Sequence, residues 1–150
     1  MTSFADSSAL VKLYADELGA DRVRSLGDGL LISELARVEV PAALWRKHRT
    51  GEMSASDVAV LVAEFEYDCF GDERHTTSST RFVRITVTSS IVDEAATLTG
   101  RYGLRAYDAV QLASAIAARR VDASVIAFAA FDRHLNRAAA IESFQLLPQE

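Results

Sequence analysis

At 150 residues the chain has the length of one domain and can bury a core without disulfides. Hydrophobic residues make up 49% and charged residues 25%, an ordinary globular balance, and the single cysteine, Cys69, excludes an intrachain disulfide framework and points to a reducing compartment. The formal net charge of −5 weighs against a purely electrostatic nucleic-acid binder, although a site built of carboxylates is acidic until it takes up a cation.

The first element is a very short strand ending near Ala5. A helix is expected from about Ser8 to Glu17, with Leu10, Leu13 and Tyr14 spaced for one face. A second short helix covers Ala20 to Leu26 and stops at Gly27-Asp28-Gly29, and Leu30 to Ser33 reads as a strand. Ser33 is expected to cap a longer helix that runs to about Arg49, kinks at Pro41 and ends at Gly51. Ser54 to Phe70 is a helix opened by the capping pattern Ser54-Ala-Ser-Asp57. Cys69 to Thr80 is polar and irregular, and Phe82 to Val87 is a strand. Ser89 to Arg101 is helical, and a Tyr102-Gly103 turn leads to a helix from Ala106 to Arg120. Ser124 to Ala129 is a strand, Arg133 to Ala139 a short helix, and Phe144 to Leu147 a last strand.

No linker, repeat or low-complexity run interrupts this pattern, so residues 1–150 are read as one domain. The start, Met1-Thr-Ser-Phe-Ala-Asp6, lacks the basic and apolar regions of a targeting segment. No apolar run approaches the roughly 18–20 residues that span a bilayer, so a cytoplasmic protein without a membrane partner is expected. Strands alternating with helices imply an α/β fold, with a mostly parallel sheet covered on both faces. Ligands bind such sheets beyond the carboxyl ends of the strands. Asp6 follows the first strand directly and Asp132 follows the fourth within a few residues, which places both at that edge.

Each candidate acid has a structural explanation beside the chemical one. Asp6 and Asp132 both suit helix N-caps. Asp108, in the first turn of its helix, suits the helix dipole, but it borders the apolar arc of Ala109, Leu112, Ala113 and Ile116. Glu39 falls inside an arc formed by Leu35, Ala36, Val38, Val40, Ala42, Ala43, Leu44 and Trp45. A carboxylate there needs a cation, a proton or a buried arginine, and Arg46 lies on the same face two turns on. Together the four acids suit a hard cation such as Mg²⁺ or Mn²⁺. His48, His75 and His134 are isolated, which argues against zinc. No phosphate-loop or dinucleotide fingerprint and no nucleophile elbow occurs.

Four ordered segments carry a family likeness. Asp6-Ser-Ser-Ala-Leu-Val-Lys-Leu-Tyr14, Ser33-Glu-Leu-Ala-Arg-Val-Glu-Val40, Asp108-Ala-Val-Gln-Leu-Ala113 and Phe131-Asp-Arg-His-Leu135 resemble the PIN-domain ribonucleases. Among these the chain is most similar to the VapC toxins of bacterial type II toxin–antitoxin modules. The resemblance implies a three-layer α/β/α fold with four to five short central strands, and a Mg²⁺- or Mn²⁺-dependent endoribonuclease acting on single-stranded RNA. It also implies a homodimer and inhibition by a VapB-like antitoxin. By motif, Asp6, Glu39, Asp108 and Asp132 are the catalytic and metal-holding acids, and Glu34 matches none. The family often carries Thr or Ser two residues before the last acid, where this chain has Ala130.

The expected mechanism is metal-assisted hydrolysis that leaves a 5′-phosphate. The first alternative is a catalytically weakened PIN-like module that binds RNA or protein. A haloacid-dehalogenase phosphatase would need a second Asp at Ser8, and a receiver domain would need a late lysine, whereas no lysine follows Lys47. Lys12, Arg105 and Arg133 lie near the motif segments as candidate phosphate contacts, apart from the four acids.

Overall fold

Among the described residues five strands form one wholly parallel sheet: β1 (Thr2–Ala5), β2 (Leu30–Ser33), β3 (Phe82–Ile85), β4 (Val125–Ala129) and β5 (Gln145–Leu147), in the order β3-β2-β1-β4-β5. The computed structural model describes residues 1–72 and 80–148, so most of the polar stretch after Cys69, His75 included, lies outside the described residues. Seven helices among these residues cover the sheet: α1 (Ser7–Tyr14), α2 (Ala20–Arg24), α3 (Ala36–Arg49), α4 (Ala55–Phe70), α5 (Ser89–Tyr102), α6 (Ala106–Val121) and α7 (Arg133–Ile141).

The strand order dictates which helices go where. From β1 to β3 the chain steps in one direction across the sheet, and from β3 it jumps back over β1 to β4 and on to β5. Right-handed crossovers in opposite directions must leave their helices on opposite faces. Accordingly α1–α4 contribute Leu10, Val23, Val40, Leu44, Val58 and Phe65 to one core, while α5–α7 contribute Ile91, Leu98, Leu112, Ile116 and Leu135 to the other. The strands alternate between the two. Phe4, Leu31 and Phe128 face the second core, and Ala5, Leu30, Ile32, Ala127 and Ala129 the first. Val125 breaks the alternation because β4 carries one extra residue opposite the Thr2–Ser3 step. Stacking of Phe4 on Phe128, with ring centroids 5.6 Å apart, ties β1 to β4 across the jump.

Among the described residues the element types match the expectation, and a few ends differ for local reasons. Ser33 closes β2 rather than capping α3: its hydroxyl accepts from Leu35 N–H at 3.2 Å across a short turn, and the helix begins at Ala36. α1 stops at Tyr14, which frees Glu17 to meet Lys12 and Lys47. Ser54 caps α4 by accepting from Asp57 N–H at 3.1 Å. Gly103, at φ +65°, terminates α5 in the left-handed conformation and turns the chain toward α6.

Candidate active site

The jump in strand order opens a crevice at the carboxyl end of β1, the place where such sheets take ligands. A cleft of about 670 Å³ lies there, lined by Asp6, Glu39, Asp108 and Asp132. Asp6 directly follows β1, Glu39 comes from the first turn of α3, Asp108 from the first turn of α6, and Asp132 from the turn between β4 and α7.

The capping roles of Asp6 and Asp132 are real, and the structure shows how they coexist with a site. Asp6 Oδ2 accepts from the Ser8 backbone N–H at 3.1 Å and from the Ser8 hydroxyl at 2.6 Å. The same hydroxyl accepts from Phe131 N–H at 3.0 Å, which locks the β1 turn to the β4 turn. Asp132 Oδ1 caps α7 through Leu135 N–H at 2.8 Å, while Oδ2 accepts from Arg105 at 3.3 Å. A carboxylate has two oxygens, so capping consumes only one.

Glu39 is anchored differently from the sequence expectation. Val38, Ala42 and Trp45 are exposed, so the apolar arc of α3 is narrower than its composition implies and Glu39 stands at the edge of the buried stripe of Ala36, Val40 and Leu44. Arg46 does not pair with it. Glu39 Oε1 instead accepts from Ser7 Oγ at 3.0 Å and from Gln111 Nε2 at 2.6 Å, and Gln111 Nε2 also donates to Ser7 Oγ at 3.0 Å. Gln111 is fully buried one turn after Asp108, and its Oε1 has no partner. Sequence reasoning missed this residue. Its signal was an amide set among Leu112, Ala113 and Ala115 on a face that should be apolar.

Three of the acids therefore keep one oxygen with no donor among the described residues: Oδ1 of Asp6, Oε2 of Glu39 and Oδ1 of Asp108. Asp6 is only 4% exposed, and burial, reinforced by the charges of Glu39 and Asp108 against the opposing Ser8 hydrogen bonds, pushes its carboxyl up to about 6. Oxygen donors that repel one another in a half-dry cleft fit a hard divalent cation in chemistry. As they stand, no three His, Cys, Asp or Glu among the described residues are disposed to hold a metal ion. Arg105 stands among them, and its guanidinium bridges Asp108 (3.1 Å) and Asp132 (3.3 Å) from the rim.

The other candidates fall away from this centre. Lys12 is buried, donates to Glu17 at 3.0 Å and to Leu18 O at 2.7 Å, and lies over the Phe131 ring. Although burial opposes it, hydrogen bonds from Lys47 and Lys12 hold the Glu17 carboxyl below its usual range. Arg133 does not line the cleft. Glu34 is engaged by Arg37 at 2.8 Å and Arg84 at 3.5 Å, in keeping with its exclusion from the site. Ala130 is buried, and its carbonyl accepts from Asn136 at 3.1 Å.

Comparison with known proteins identifies the family and the fold. The PIN-domain family model matches residues 3–141. Ribonuclease VapC45 and ribonuclease VapC49, both of Mycobacterium tuberculosis, are each 33% identical to the chain over 150 residues, covering 98% of it and 95% of the relative. Among solved structures, VapC20 of M. tuberculosis, a sarcin-ricin loop cleaving toxin, superposes with a TM-score of 0.64 at 16% identity, over 91% of this chain and 95% of the other. PAE2754 of Pyrobaculum aerophilum gives a TM-score of 0.61 at 20% identity, over 92% and 79%. At those identities the two structures speak for the fold.

Proposed function

This chain belongs to the PIN-domain family, among the VapC ribonucleases, and on that premise we propose that it is a metal-dependent endoribonuclease, the toxin of a toxin–antitoxin pair, hydrolysing single-stranded RNA in the cytoplasm. The observation that carries the proposal is the convergence of Asp6, Glu39, Asp108 and Asp132 from four separate elements on one cleft at the carboxyl edge of the sheet. Asp6, Glu39 and Asp108 would hold Mg²⁺ or Mn²⁺ through their free oxygens. A divalent cation so bound supplies an activated water and neutralises charge on the phosphate. Asp132 completes the set or orients the attacking water. Ser7 and Gln111 keep Glu39 aimed into the cleft, and Ser8 keeps Asp6 there. Water adds to phosphorus, the bond to the 3′ oxygen breaks, and that oxygen leaves with a proton, so the products carry a 5′-phosphate and a 3′-hydroxyl.

A VapB-like antitoxin and a homodimer complete the reading. Support for the first is kinship with VapC ribonucleases. Support for the second is the exposed apolar strip of Val38, Ala42 and Trp45 on α3. Among the described residues no helix is long and apolar enough to cross a membrane.

The test is incubation of antitoxin-free protein with total RNA in Mg²⁺, Mn²⁺ or EDTA, followed by mapping of the ends. Metal-dependent cuts bearing 5′-phosphates, lost in Asp6→Asn, are expected. A non-catalytic RNA- or protein-binding module is the second reading, favoured by the way Arg105 ties up Asp108 and Asp132. Intact RNA in all three conditions would select it.

A further inference from the structure

Among the described residues six carboxylates line the cleft against three cations, Arg46, Lys47 and Arg105. A polyanion entering it meets net repulsion that a single divalent cation does not cancel. The substrate therefore needs positive charge from the protein itself, and two of the three cations are already engaged. Lys47 is held by Glu17 at 2.7 Å and Glu52 at 3.2 Å. Arg105 is shared between Asp108 and Asp132. Arg46 is exposed and has no ion pair, side-chain hydrogen bond or ring partner among the described residues. Arg49 and Arg137 also have no ion pair among the described residues, but they stand outside the cleft.

Position adds to this. Glu39 and Arg46 are seven residues apart on α3, which returns them to within about 20° of one direction and separates them by roughly 10 Å along the axis. Ala43 lies between them on the same wall, and its methyl group leaves the floor open. A strand with one phosphodiester at the carboxylates and its backbone along α3 brings a neighbouring phosphate to Arg46. The carboxyl end of a helix repels anions, so α3 offers no attraction there except its side chains.

We propose that Arg46 forms a phosphate subsite in this cleft, its guanidinium binding a phosphodiester next to the scissile one in single-stranded RNA. The subsite rests on the ribonuclease reading above for its substrate, and it sets affinity and salt dependence rather than the chemical step.

The experiment uses a fluorescein-labelled, mixed-sequence single-stranded RNA, with binding followed by anisotropy on the Asp6→Asn background in Mg²⁺ over a range of salt. Arg46→Ala is expected to weaken binding about 10-fold, the worth of one charge-assisted contact. It should also flatten the slope of log K against log salt by about 0.7, the value for one phosphate on a single strand. Arg46→Lys recovers part of both. Arg137→Ala, which removes the same charge outside the cleft, leaves both unchanged. In the otherwise unaltered chain, Arg46→Ala raises KM at unchanged kcat. An Arg46→Ala protein with unaltered affinity and slope, or one no weaker than Arg137→Ala, overturns the subsite. If the unaltered chain leaves RNA intact while the anisotropy series still depends on Arg46, the ribonuclease reading fails and the subsite stands. If it cleaves RNA and the series is flat, only the subsite fails.

Discussion

Asp6→Asn should abolish cleavage and at the same time make the metal-free protein more stable at neutral pH. Asp6 is almost wholly buried, and its carboxyl has moved from 3.8 to about 6. Between those two values the folded chain holds a proton that the unfolded chain has released. Stability therefore falls as pH rises from about 4 to about 6, and then stays level with respect to this group. At about 1.4 kcal/mol per tenfold change in acidity, the ionised carboxylate costs the fold on the order of 3 kcal/mol at pH 7.5. Asparagine is neutral, and its amide oxygen can still accept from the Ser8 backbone and hydroxyl, so the cap survives. For a domain of this size the gain corresponds to a rise of roughly 6–12 °C in Tm. The assay is thermal unfolding of both proteins in EDTA at pH 4 and pH 7.5. The stabilisation should be present at pH 7.5 and largely absent at pH 4, where Asp6 of the unaltered chain is protonated. Titrating Mg²⁺ should then raise the Tm of the unaltered chain, by about 2.7 kcal/mol of stability at a hundredfold excess over Kd, and leave Asp6→Asn behind. An Asp6→Asn protein that is destabilised at pH 7.5, or equally shifted at both pH values, would refute the reasoning.

Gln111→Leu preserves the bulk of the buried side chain but removes the donor to Glu39 and Ser7; activity should drop about 10- to 100-fold with the fold intact by circular dichroism. Arg105→Ala frees one oxygen each of Asp108 and Asp132, so Mn²⁺ binding measured calorimetrically should tighten about two- to five-fold; weaker binding would mean that Arg105 preorganises the acids instead of competing for them. Gly19→Ala places a methyl group 2.7 Å from Phe131 Cε1 at a residue with φ +88°, and denaturant unfolding should show a loss of roughly 1–3 kcal/mol.

Much of the architecture was legible along the chain because its signals are local. Hydrophobic period, Gly and Pro punctuation and capping residues recur at nearly every element boundary, and errors at the ends, such as the role of Ser33, came from a hydroxyl that can serve a turn or a helix equally well. The four acids were legible as a set through their places after strands and in first turns, and through the ordered motifs. Glu39 was reached partly by the wrong argument. Composition made α3 apolar on a broad arc, but a helix buries only the stripe that its neighbours cover, and Val38, Ala42 and Trp45 are left outside.

The sequence by itself thus determined the alternation of strands and helices and the parallel sheet, and it singled out which carboxylates stand at the sheet edge, because periodicity, capping and short motifs are encoded within a few residues. Only the tertiary structure decided how those carboxylates are held. Gln111 donating to Glu39 across 72 positions, Arg105 bridging Asp108 and Asp132, Lys47 consumed by Glu17 and Arg46 left free are outcomes of packing between distant segments. The Ser8 hydroxyl that donates to Asp6 is itself held by Phe131 N–H from the turn after β4. Those contacts follow from the jump in strand order over β1, and no local stretch of the chain carries that information.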